Sequence, residues 1–151
     1  MALGLNLYRQ GKTVPASEAF NKAIALLPES PVAHNNLGLT LRMLGKENEA
    51  MAHYQEAIRL DAGYAEAYNN LAMVYDRRGS VDQAAAHYQK ALRFKPEAPE
   101  FHLNYATLLE RKGDFPQAKK EYQLYLTLES SPQKENVIAL VKGRLRELKG
   151  L

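Results

Sequence analysis

The stretch from Ala65 to Pro96, AEAYNNLAMVYDRRGSVDQAAAHYQKALRFKP, sets the pattern for the rest of the sequence. Its apolar residues have the spacing of two amphipathic helices, and Gly79 lies between them, where a left-handed helix end is expected. Shifting the register by 34 residues reproduces the stretch in both directions, for example from Gly79 to Gly45 and to Gly113. A unit of this length with two helices predicts an array of helical repeats.

Four columns of residues carry the repeat. They are a glycine between the helices, an alanine early in the second helix, an aromatic residue one turn later, and a large residue followed by a small one in the first helix. In chain order the members are Gly11, Gly45, Gly79 and Gly113; Ala16, Ala50, Ala84 and Ala118; Phe20, Tyr54, Tyr88 and Tyr122; and Leu3-Gly4, Leu37-Gly38, Leu71-Ala72 and Tyr105-Ala106.

This pattern resembles that of the tetratricopeptide repeat (TPR) family over about residues 1 to 130. The resemblance implies an all-α fold, a right-handed α-solenoid of antiparallel helix pairs whose first helices line a concave groove. TPR arrays are mostly binding scaffolds. We therefore expect a scaffold that binds an extended peptide or a helix of another protein in the groove, and we do not expect an enzyme.

The resemblance also sets the expected organisation of the chain. We expect one domain over residues 1–151, with a partial repeat at 1–30, full repeats at 31–64, 65–98 and 99–131, and a capping helix at 132–149. Ser130 or Ser131 is the predicted N-cap of that last helix, with Pro132 in its first turn. The truncated first repeat favours a fragment cut from a longer array.

Family offsets from the small position imply which residues point into the groove. The predicted peptide-binding set is Asn35, Asn36, Leu39, Arg42, Glu66, Asn69, Asn70, Met73, Arg77, Asn104, Thr107 and Arg111. Within it, Asn36, Asn70 and Asn104 are spaced 34 residues apart. A carboxamide both donates and accepts, so a row of them can hold a peptide backbone, and the row resembles that of O-linked N-acetylglucosamine transferases. The alternative is that asparagine is simply common at this family position.

Composition limits the other classes of partner. The formal net charge is +3, with 20 basic residues spread among 17 acidic ones, which does not favour nucleic acid. No run reaches the roughly 18 apolar residues of a membrane span, and no signal peptide is evident, so we expect no membrane insertion and favour the cytoplasm. The basic C-terminal helix could lie on a membrane surface, but its place after the last repeat favours a cap.

The four histidines offer no metal-ligand spacing, and we predict no catalytic residue, metal or cofactor. His53 and His87 lie in second helices without an arranged carboxylate, and His34 and His102 lie near the starts of first helices. Two alternative functions stay open. One is the targeting region of a larger enzyme such as a glycosyltransferase. The other is self-association through the uncovered N-terminal end at Leu3, Leu5 and Leu7.

Overall fold

The computed structural model describes residues 1–148, and every regular element in that range is helical. The all-α prediction is confirmed. The elements are α1 (Ala2–Arg9), α2 (Thr13–Leu26), α3 (Pro31–Met43), α4 (Glu47–Leu60), α5 (Ala65–Arg77), α6 (Val81–Phe94), α7 (Pro99–Lys112), α8 (Phe115–Leu128), a 3₁₀ turn (Pro132–Lys134) and α9 (Glu135–Glu147).

The chain forms two compact units, Met1–Val74 and a second unit that begins at Tyr75. In the first unit α1 packs on α2, α2 on α3 and α3 on α4. In the second, α6 packs on α7, α7 on α8, and α8 on α9. The expected single domain and its repeat boundaries stay a prediction.

The glycine between the two helices of each pair is required by the backbone. Gly11, Gly45, Gly79 and Gly113 have φ angles of +72°, +77°, +74° and +85°. A side chain at such an angle crowds the backbone, whereas glycine adopts it freely. Each glycine therefore ends a first helix and lets the chain reverse into the second.

In α1 and α3 the small residue lies directly beneath the aromatic ring of the paired second helix. A Cβ atom on Gly38 would come within 2.6 Å of Cε1 of Tyr54, a ring that is 0% exposed. Gly4 and Phe20 repeat this arrangement at the same distance. In these two helix pairs the small and aromatic residues are therefore two sides of one contact, which sets how closely the paired helices approach.

The C-terminal helix begins later than predicted. The Ser131 hydroxyl donates to the side chain of Gln133 and caps no backbone N–H, and residues 132–134 form a 3₁₀ turn. The α-helix therefore starts at Glu135. Its apolar stripe buries Val141 and Leu148 and half-buries Val137, Ile138 and Leu145. Lys149, the last residue of the predicted helix, lies outside the described residues.

Candidate functional site

Two of the predicted groove asparagines bind each other. In the first unit Asn70 Nδ2 of α5 donates to Asn35 Oδ1 of α3 across 2.8 Å, and the two residues are only 8% and 4% exposed. A buried carboxamide that loses its partner is costly, so this bond ties the two first helices together. Asn70, a member of the predicted asparagine row, therefore uses one of its N–H groups in a hydrogen bond within the protein.

The other predicted residues differ in how far they reach solvent. Asn69 is buried, and its Nδ2 lies 3.8 Å from Met73 Sδ. Those half-buried in the first unit are Asn36, Leu39, Arg42, Glu66 and Met73. In the second unit Asn104 is half-buried, whereas Arg77, Thr107 and Arg111 are exposed.

Two polar groups on α3 have unused hydrogen-bonding capacity. The Nε–H of Arg42 is buried and has no hydrogen-bond partner within the described residues. The side chain of Asn36 makes no hydrogen bond to another residue of the described chain. Buried donors are almost always paired in folded proteins, so a water or a ligand atom can serve as the acceptor for this N–H.

In the second unit two charged residues of α7, Glu110 and Arg111, have partners on other helices. Arg111 of α7 forms an ion pair with Asp76 at the end of α5. Glu110 accepts from Arg144 Nε of α9 at 2.6 Å and from the Tyr122 hydroxyl at 3.0 Å. The hydrogen bond from Arg144 lowers the pKa of Glu110, so this carboxylate stays ionised. The sequence predicted a groove position for Arg111 but not its ion pair with Asp76.

The structure brings two of the four histidines into contact, which the sequence analysis did not predict. His34 Nδ1 of α3 lies 3.0 Å from His53 Nδ1 of α4, and His34 Nε2 lies 3.1 Å from the Pro28 carbonyl oxygen. Because that carbonyl can only accept, neutral His34 carries its proton on Nε2. His53 Nδ1–H must then donate to the bare Nδ1 of His34. The signal in the sequence was the spacing of 19 residues, which joins the two helices of one pair.

This histidine pair predicts acid-sensitive stability. Burial chiefly, and His34 next, lower the pKa of His53, whereas Glu49 and Glu56 oppose the shift. The unfolded chain, with a pKa near 6.5, then takes up protons that the folded chain does not. The stabilisation is present above about pH 6.5 and is lost as the pH falls below it. Between about pH 7.5 and pH 5.5 we expect the wild type to lose more unfolding free energy than His53→Gln, because position 53 titrates only in the wild type.

Urea unfolding at the two pH values measures this difference. Glutamine at position 53 can still donate to His34 but cannot titrate, so it serves as the control. Equal pH dependence of the two proteins would show that the pair does not cause the effect.

A related histidine in the second unit has a carboxylate partner. His102 Nδ1 lies 2.7 Å from Glu121 Oε2, and His102 Nε2 lies 2.8 Å from the Pro96 carbonyl oxygen. Both side chains are buried, and Glu121 Oε1 accepts from Gln117 Nε2 at 2.7 Å. Both ring nitrogens and both carboxylate oxygens have partners, which is the pattern of a structural element rather than of a catalytic site.

No group of three or more metal-ligating side chains occurs within residues 1–148. None of the helices described is long and apolar enough to cross a bilayer. At the N-terminal end Leu3 is exposed and Leu5 and Leu7 are half-buried. Self-association through these residues stays a prediction.

The comparisons with known proteins agree with the repeat pattern. Two tetratricopeptide repeat family models match, one over residues 33–97 and the other over residues 69–135. The chain belongs to the tetratricopeptide repeat family, and its fold class is the α-solenoid of antiparallel helix pairs. Proteins of this class are interaction scaffolds that bind other proteins, and they are generally not catalytic.

Among solved structures, the chain is similar to a crystal structure of MamA at 30% identity, with a TM-score of 0.74 over 84% of this chain and 74% of that one. A second MamA structure is 29% identical, with a TM-score of 0.72 over 91% and 73% of the two chains. TTC0263, a thermophilic TPR protein in Thermus thermophilus, is 25% identical, with a TM-score of 0.79 over 97% and 78%. No curated protein sequence matches the chain.

Proposed function

We propose that this scaffold binds an extended segment of a partner protein along the exposed face of the first helix α3. The observation that carries the proposal is on α3, where the Nε–H of Arg42 is buried without an acceptor among the described residues. Such a group costs about 1–3 kcal/mol unless something pairs with it. A backbone carbonyl oxygen of a bound peptide supplies the missing acceptor.

Asn36 supports the same proposal from the same helix. Its carboxamide is half-buried and makes no hydrogen bond within the described chain. It can donate to a peptide carbonyl and accept from a peptide N–H, so it recognises backbone rather than a particular side chain. Leu39 lies half-buried between these two positions in the sequence and offers an apolar contact.

The Asn35–Asn70 bond changes how the proposal is tested. Substituting Asn70 would leave the buried Asn35 oxygen without its donor, so a loss of binding would be confused with a loss of stability. Asn36 and Arg42 make no such internal bond and are the better positions. A peptide library displayed on phage, selected against the wild-type chain, supplies the ligands.

Asn36→Ala/Arg42→Ala is expected to bind the peptides selected by the wild-type chain at least about tenfold more weakly than the wild type does, because two hydrogen bonds are removed. Titration calorimetry measures the two affinities. Asn21→Ala/Lys22→Ala is the matched control, because it removes an amide and a cation from the exposed face of α2. Unchanged affinity in the first variant, or an equal loss in the control, would contradict binding at α3.

A further inference from the structure

A cleft between α8 and α9 in the second unit gathers positive charge. Lys119 and Gln123 line it from α8, and Lys142, Leu145 and Arg146 line it from α9. Its volume is about 250 Å³. Lys119 and Gln123 are four positions apart in the sequence, as are Lys142 and Arg146. Residues at this spacing lie on the same face of an α-helix, so one face of each helix lines the cleft.

The three cations that line the cleft are Lys119, Lys142 and Arg146. None of them has an acidic partner within residues 1–148. Other basic residues do form ion pairs, among them Lys46 with Glu49, Arg59 with Glu56, Arg111 with Asp76, Lys112 with Asp82, and Arg144 with Glu110 and Glu147. The acidic residues closest in sequence are used elsewhere, since Glu121 binds His102 and Gln117, and Glu147 binds Arg144. The cleft is therefore a local concentration of uncompensated positive charge in a chain whose net charge is only +3.

We propose that this cleft binds an acidic segment of a partner protein, through carboxylates that pair with Lys119, Lys142 and Arg146. Like charges held close together repel one another, and a ligand with several carboxylates relieves that repulsion. Gln123 adds an amide that can pair with the segment's backbone, and half-buried Leu145 adds an apolar contact. This site is distinct from the α3 face of the proposed function.

A membrane surface fits the same charges less well. A helix that lies on a bilayer inserts its apolar stripe among the lipids. Val141 of α9 and Leu148, which follows directly after α9, are already buried against the protein. The cleft also lacks an aromatic lining residue, among those described, on which a nucleic acid base could stack. A protein segment with carboxylates matches the cleft in both charge and composition.

The test uses the full chain and a fluorescein-labelled peptide with glutamate at alternate positions, compared with the same peptide carrying glutamine. Fluorescence anisotropy at about 50 mM and 200 mM NaCl should show tighter binding of the glutamate peptide and a loss of affinity with salt. Lys119→Gln/Lys142→Gln/Arg146→Gln is expected to weaken binding about tenfold or more. The control Lys12→Gln/Lys22→Gln/Arg93→Gln removes the same charge from scattered positions outside the cleft and is expected to change affinity by about twofold or less.

Three outcomes would overturn the proposal. Equal weakening in the two triple variants would mean that binding follows net charge alone. Equal affinity for the glutamate and glutamine peptides would exclude carboxylate recognition. The third outcome concerns vesicles of equal phosphatidylserine and phosphatidylcholine. If the wild type sediments with them, Lys119→Gln/Lys142→Gln/Arg146→Gln does not, and the wild type fails to bind the glutamate peptide, the cleft binds lipid instead. The Asn36→Ala/Arg42→Ala variant should bind the acidic peptide normally, which separates this site from the proposed function.

Discussion

Replacing Tyr54 with alanine is expected to lower the free energy of unfolding by about 3–5 kcal/mol. The ring is fully buried in the first unit and lies against the backbone of Gly38, where no side chain can enter to fill the space. Its removal loses the transfer free energy of an aromatic ring and leaves a cavity between α3 and α4. Urea unfolding followed by circular dichroism measures the change.

Gln55→Ala is the matched control, because it truncates the next residue on the same helix at an exposed position. Its expected effect is within about 0.5 kcal/mol. A Tyr54→Ala protein as stable as the control would mean that the ring does not fill the contact between the paired helices.

Replacing Glu121 with alanine is expected to lower the free energy of unfolding by about 2–4 kcal/mol, because it leaves two hydrogen-bonding groups without their partner. His102 Nδ1 loses its partner at a buried position, and Gln117 loses its bond to Glu121 Oε1. The free energy of unfolding in urea, compared with the wild type at neutral pH, gives the loss.

A second variant separates the broken pair from the lost volume. The residue that corresponds to His102 in the preceding repeat is Tyr68. Its hydroxyl donates to the Ala62 carbonyl oxygen across 3.3 Å, and His102 Nε2 makes the equivalent bond to the Pro96 carbonyl oxygen. His102→Tyr/Glu121→Leu keeps that bond and removes the contact between imidazole and carboxyl group. It should recover most of the stability lost in Glu121→Ala, since no buried imidazole nitrogen is left without a partner. If the double variant is as unstable as the single one, the broken pair is not the cause.

Several features were predictable because they depend on local rules. Gly45 and its counterparts end a first helix in the left-handed region, where other residues are strained, so the turn could be read from one residue type. Gly38 and Tyr54 recur together because one packs on the other, and that recurrence is visible in the sequence alone. The predicted start of the C-terminal helix was wrong because two serines before a proline are typical of an N-cap. The sequence does not show whether a serine hydroxyl accepts a hydrogen bond from a backbone N–H.

The candidate site was predictable only as a set of positions. Family offsets placed Asn35, Asn36 and Asn70 together on first helices, but not which of them would bond to each other. The same limit hid the His34–His53 contact, since each residue alone looks like an ordinary surface or packing histidine. Which polar groups remain for a ligand depends on which have already found partners inside the protein.

The amino-acid sequence by itself determined the repeat length, the pairing of helices around each glycine, and the membership of the tetratricopeptide repeat family, because these follow from the spacing of residue types along the chain. Only the tertiary structure decided the pairs Asn35–Asn70, Glu110–Arg144 and His102–Glu121 and the uncompensated cations of the α8–α9 cleft. Those pairs join residues 35, 34 and 19 positions apart. Whether two such groups meet is set by helix packing and side-chain rotamers, which the periodicity of one helix does not encode.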